Sequence, residues 1–216
     1  MAETIAGPWF RRAAEPAAEA ADIRLFVLPH AGSGPARYLA WADRLEGVDL
    51  VGVCLPGHER RVAEAPMRRV ADIVDALADA MAPHVDRPFA LFGHSFGGLL
   101  AFEAARRLEA DSAWPLHVFI SGTAAESSRM TETSITTLPD PAFLAHVRTL
   151  GGLDPDVLAH PDLIDLVLPA LRADYEASEA HSPDPAAFLT APITALGGLH
   201  DPAAPPGALI AWGRRT

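Results

Sequence analysis

Five short, uninterrupted apolar runs restrict the fold of this 216-residue chain more than any other feature. They are "IRLFVLPH" (23–30), "VDLVGVCLPG" (48–57), "PFALFG" (88–93), "LHVFISG" (116–122) and "APITALGG" (191–198). A strand with one wet face alternates apolar and polar residues. A run that is apolar throughout has both faces covered, as in a parallel sheet between helices. Segments with helical marks separate the first four runs. Residues 35–47 open on Pro35 and stop near Gly47. Residues 70–85 place Val70, Ile73, Val74, Leu77 and Met81 on one helical face, and residues 97–109 continue the pattern. The class predicted is α/β: a mostly parallel sheet with helices on both faces.

The alternation stops at residues 124–186, which hold no convincing strand. Helical stretches at 141–152 and 161–177 occupy them. The second is apolar nearly all round (Leu163, Ile164, Leu166, Val167, Leu168, Leu171), which predicts packing on two sides or an apolar surface over a cavity. A helical insertion between strands reads as a lid. Residues 1–22, rich in Ala, Glu and Pro, read as a leader with one anchoring pair, Trp9 and Phe10. Residues 23–216 then form a single domain.

Between strand and helix stands "FGHSFGG", a Gly-x-Ser-x-Gly turn at 93–97. This pattern holds a serine on a strained elbow above the sheet, with glycines where strand and helix approach closely. Ser95 is the candidate nucleophile. The helix that follows directs its first amides at the same spot, so the Phe96 N–H can stabilise an oxyanion. The second donor is expected from the small-residue loop "PHAGSG" (29–34), with Ala31 the best placed. Asp201, just past the last apolar run, is the candidate acid at the C-terminal edge of the sheet.

Charge and composition exclude other chemistry. A net charge of −11 argues against a nucleic-acid partner. All 17 cationic residues are arginine, so lysine-based catalysis is excluded. The single cysteine, Cys54, forms no internal disulfide and reads as a small core residue. No metal site is expected. No apolar run reaches the ~18–20 residues of a membrane span, and the N-terminus lacks a signal-peptide core, so a cytoplasmic protein is expected. The paired arginines 60–61, 68–69 and 106–107 read as solvated surface.

The segments "LPHAGSGPARYLAWADRL", "LPGHERR", "FGHSFGGLLAFEAARRL", "LPDPAFLAHVRTLGGLDPDVL", "LPALRADYEA" and "ITALGGLHDP" together resemble the type II thioesterases. These are stand-alone α/β-hydrolases that accompany nonribosomal peptide and polyketide assembly lines. The resemblance runs from about Trp9 to Thr216. It implies an α/β-hydrolase fold, Ser95 as nucleophile, Asp201 as triad acid, Ala31 and Phe96 as oxyanion donors, and a lid at 124–186 near a carrier-protein docking surface. It further implies an acyl group on the phosphopantetheine thiol of an acyl or peptidyl carrier protein as substrate, no cofactor of the enzyme's own, and a monomer.

One member of the triad is not found. The family pattern places a further strand and a glycine-flanked histidine after Asp201, and none of the nine histidines follows that residue. His94 adjoins the nucleophile, but side chains diverge at an elbow, which favours a packed structural role. His200 directly precedes the acid and is poorly placed to bridge it to Ser95. His30, at the end of the first apolar run, and His181, at the exit of the lid, are the remaining alternatives. Low hydrolytic turnover is therefore expected of this polypeptide. A carboxylesterase of the same fold and a non-catalytic carrier-binding protein stand as rival readings.

Overall fold

The computed structural model describes residues 7–13, 21–125, 134–153, 157 and 159–216. Six strands form one sheet: β1 (Phe10–Arg12), β2 (Ile23–Leu28), β3 (Val48–Val53), β4 (Phe89–His94), β5 (His117–Ser121) and β6 (Ile193–Leu196), in the order β1-β3-β2-β4-β5-β6. All neighbours run parallel except β1, which pairs antiparallel with β3 through Phe10 and Val53. The five apolar runs thus supply β2 to β6. Strand β1 lies inside the segment read as a leader, where Phe10 is buried against Phe26 at 5.6 Å.

Side chains two apart along a strand share a face. On one face Phe26 and Leu28 of β2, Val51 and Val53 of β3, and Leu91 of β4 join the main core. On the other, Val27 and Leu50 pack with Tyr38 and Leu39. Those last two belong to α1 (Ala36–Leu39), which continues as a 3-10 turn through Arg44. The continuous helix expected over 35–47 is therefore two short pieces ending before Gly47, whose φ is +72°. The main core is closed by α2 (Val70–Met81), whose five expected face residues are all buried, and by α3 (Phe96–Ala110).

Charged groups fasten the N-terminal strand to the sheet. Arg24 is fully buried, and its Nε donates to Asp49 Oδ2 at 2.7 Å. Arg12 of β1 donates to the same oxygen at 2.7 Å. Arg61, expected to be solvated, is buried instead. It stacks 4.5 Å over Trp9 and donates to the Cys54 carbonyl and to Glu64. The other arginine of that pair, Arg60, donates to the carbonyls of Gly7, Pro8 and Phe10. These cations hold the N-terminal strand and its approach in place.

Between β5 and β6 come α4 (Asp140–Thr149) and α5 (Pro161–Ala180). The two pack through Phe143 and Tyr175, rings 5.5 Å apart, with Arg172 over Phe143. Helix α5 does not pack along its whole length. Its C-terminal half buries Ala170, Leu171, Ala173, Asp174 and Ala177, whereas Leu163 and Leu166 in the other half are exposed. After β6 the chain forms α6 (Pro206–Ile210) and a 3-10 turn in which Trp212 is buried against Phe102.

Candidate active site

Ser95 sits between β4 and α3 with φ 53° and ψ −119°, a conformation that costs a non-glycine residue free energy and needs outside support. That support comes from the end of β5. The Ser95 N–H donates to the Ser121 carbonyl at 2.8 Å, and the Ser95 carbonyl accepts from Thr123 Oγ1 at 2.8 Å. The turn is also sterically fixed. A Cβ on Gly93 would lie 2.0 Å from the Gly97 carbonyl oxygen, and one on Gly97 would lie 2.1 Å from that of Leu28. Gly98, outside the five-residue motif, has the same requirement against Thr123.

Two cavities meet at Ser95 and Ala31. One, of about 560 Å³, is walled by His30, Tyr38, Trp41, Phe92, His94 and Asp201. The other, about 620 Å³ and more apolar, includes Phe96, Leu99, Phe102, Tyr175 and Trp212. All four residues predicted for the site (Ser95, Asp201, Ala31 and Phe96) therefore line one or both of these spaces. Phe96 is the first residue of α3, where amides have no intrahelical acceptor. Asp201 Oδ1 accepts the N–H groups of Ala203 and Ala204 at 2.9 and 3.3 Å, which fixes the carboxylate at the cavity edge.

The histidines differ sharply in what they can do. His30 Nδ1 lies 3.0 Å from the Tyr38 hydroxyl, and its ring is edge-on to His94 at 5.8 Å. Burial, then the charges of His94 and Arg37, lowers its pKa to about 4, so it is neutral near pH 7. His94 Nδ1 lies 3.0 Å from Ser121 Oγ, the contact expected of a packed residue. It nevertheless faces Asp201 as well. A Cβ placed on Gly122 would be 2.9 Å from His94 Cε1 and 3.6 Å from Asp201 Oδ2. Burial lowers the His94 pKa, and the Asp201 charge offsets this only in part. His200 is exposed. His181 lies 3.2 Å from Glu103 in the wall of the larger cavity.

One buried group beside the loop at residues 29–34 has no local signature in the sequence. Asp174 of α5 and His58, after β3, are both buried, with His58 Nε2 2.9 Å from Asp174 Oδ2. The same carboxylate oxygen accepts the Gly32 N–H at 2.8 Å. Its only sequence signals were a histidine in "LPGHERR" and an aspartate in "LRADYEA", 116 positions apart. Among the described residues, no cluster of three or more His, Cys, Asp or Glu side chains could hold a metal ion, and no helix is long and apolar enough to cross a membrane.

Comparison with known proteins gives a consistent picture. The family model for the thioesterase domain matches residues 23–212. Thioesterase PikA5 of Streptomyces venezuelae is 38% identical over 97% of this chain and 75% of its own length. The solved structure of BorB, a type II thioesterase from the borrelidin biosynthetic cluster, superposes with a TM-score of 0.85 at 35% identity, covering 96% of this chain and 84% of that one. YbtT, a type II thioesterase from the yersiniabactin NRPS/PKS pathway, gives a TM-score of 0.83 at 30% identity, covering 96% and 85%.

Proposed function

This chain belongs to the thioesterase family, and we propose that it hydrolyses acyl groups from the phosphopantetheine thiol of carrier proteins in nonribosomal peptide or polyketide biosynthesis, with Ser95 as nucleophile. The observation that carries this reading is the strained, β5-anchored position of Ser95 where the two cavities meet, beside Ala31 and the first residue of α3. Attack by Ser95 Oγ on the thioester carbonyl forms a tetrahedral oxyanion. The Ala31 and Phe96 amides are its proposed donors, and loss of one such donor costs about 10²–10³ in rate. Collapse expels the thiolate, a better leaving group than an alkoxide, because a thiol's reference pKa is only ~8.5. Water then releases the acyl group from Ser95. The two cavities suit this substrate: the more apolar one for an acyl chain, the less apolar, aromatic-walled one for the pantetheine arm.

Among the described residues, the histidines that line the Ser95 cavities are His30, His94, His146 and His181. His30 is bound to Tyr38, His94 to Ser121 and His181 to Glu103.

The test is incubation with butyryl-loaded carrier protein, reading free acid by chromatography and acyl-Ser95 by intact-protein mass spectrometry. Acylation that disappears in Ser95→Ala is expected. Ser95-independent hydrolysis would refute the mechanism. Faster turnover of p-nitrophenyl butyrate than of the thioester would favour a carboxylesterase. Tight carrier binding without acylation would favour a non-catalytic role.

A further inference from the structure

The lid helix reaches the proposed oxyanion loop through one buried carboxylate. Gly32 directly follows Ala31 and has φ +71°. Its N–H donates to Asp174 Oδ2, and a Cβ on Gly32 would lie 2.6 Å from Leu171 Cδ1, one turn earlier on the same helix. The loop is therefore both bonded to α5 and packed against it. A buried carboxylate needs compensation, or it takes up a proton and its acceptor strength falls. His58 provides it. Its Nδ1 lies 3.0 Å from the Pro56 carbonyl and its Nε2 2.9 Å from Asp174. A carbonyl can only accept, so Nδ1 donates to Pro56, and a second proton on Nε2, with its positive charge, is favoured by the Asp174 carboxylate beside it. Burial opposes that charge, but the hydrogen bond and charge of Asp174, with help from the Pro56 and Leu55 carbonyls, raise the His58 pKa above its ordinary value.

We propose that Asp174 is a positioning residue of the thioesterase centre: it fixes the Gly32 amide, and through it the Ala31 segment, while His58 holds its carboxylate in place. The inference rests on Ala31 as an oxyanion donor. It makes the lid part of the catalytic apparatus, because any displacement of α5 removes the acceptor that orients the loop. Asp174 also lines the larger cavity, but the role proposed for it is exerted through the backbone of residues 31 and 32.

The test separates tetrahedral-state binding from ground-state binding. n-Butylboronic acid forms a tetrahedral adduct on an active serine, with an anionic oxygen in the oxyanion site. S-butyl pantetheine, a thioether, probes the ground state only. Both affinities are measured by calorimetry on wild type, Asp174→Asn and the double variant Asp174→Leu with His58→Phe. The double variant replaces the buried pair with apolar groups and avoids leaving one charge alone. Expected are a boronate affinity at least tenfold weaker in the double variant, an unchanged thioether affinity, and a loss of threefold or less in Asp174→Asn, which keeps an acceptor oxygen. Near-UV circular dichroism confirms that each variant folds. A folded double variant that binds boronate as tightly as wild type overturns the proposal, and so does equal weakening of both ligands. Wild-type boronate binding unaffected by Ser95→Ala would instead refute Ser95 as the nucleophile, and the positioning role with it.

Discussion

Replacing Gly97 with alanine tests whether the elbow is held together by close backbone contact. The added Cβ would lie 2.1 Å from the Leu28 carbonyl oxygen and 2.4 Å from that of Pro29, at the end of β2. Both obstacles are backbone, so no side-chain rotation relieves them. The start of α3 must move away from β2 by roughly an ångström to reach ordinary van der Waals distance. Overpacking of this kind costs about 3 kcal/mol, the upper part of its usual range. The same shift carries the Phe96 amide away from the loop that holds Ala31, and a misplacement of that size can cost about 10²-fold in rate. The assays are the urea midpoint and the rate at which an alkyl fluorophosphonate labels Ser95. Gly207→Ala is the control: a Cβ there meets no atom within 4 Å, and alanine is a better helix former than glycine. If Gly97→Ala kept the midpoint and labelling rate of the Gly207 control, the steric account of the elbow would be wrong.

Asp49→Ala removes the oxygen shared by Arg24 and Arg12 and leaves the fully buried Arg24 with Asp86 and the His84 carbonyl. A loss of about 3 kcal/mol is expected, near the lower end for stranding a buried charge. A loss below about 1 kcal/mol in denaturant titration, the scale of an exposed pair, would mean that the pair does little. His30 gives stability a pH dependence. Its folded pKa, about 4, lies below the ordinary 6.5, so the unfolded chain binds the proton more readily between those values. The stabilisation is complete above pH 6.5 and is lost as pH falls toward 4, by about 3 kcal/mol in all. His30→Phe should flatten the urea midpoint over that window. An unchanged slope in the variant would assign the effect to other groups.

What the sequence could reveal depended on the range over which each signal acts. Strands β2 to β6 were legible because each is a short apolar run, a purely local property, although β5 is fully buried on one face only and β6, at the sheet edge, buries no residue fully. The elbow was legible from its local Gly-x-Ser-x-Gly spacing, in which Gly93 answers to Gly97, although Gly97 itself answers to the distant Leu28 and Pro29 carbonyls. Strand β1 was not, because "FRR" offers one apolar residue and its strand character comes from pairing with β3. Arg61 looked like surface because a cation is buried only where partners converge, and Trp9, Cys54 and Glu64 converge on it through the fold. His94 was obscured differently. Sequence adjacency to Ser95 suggested divergence and a packed role, which its contact with Ser121 matches, but its nearness to Gly122 and to the Asp201 charge comes only from the fold. The Asp174–His58 pair lay furthest from view, since each residue alone is an ordinary polar side chain in a helix or loop. Only the packing of α5 against the loop after β2 makes one the acceptor and brings the other to it. Side chains that answer to distant partners are the ones that tie α5 to that loop, so the contact is a property of the tertiary structure and of no single motif.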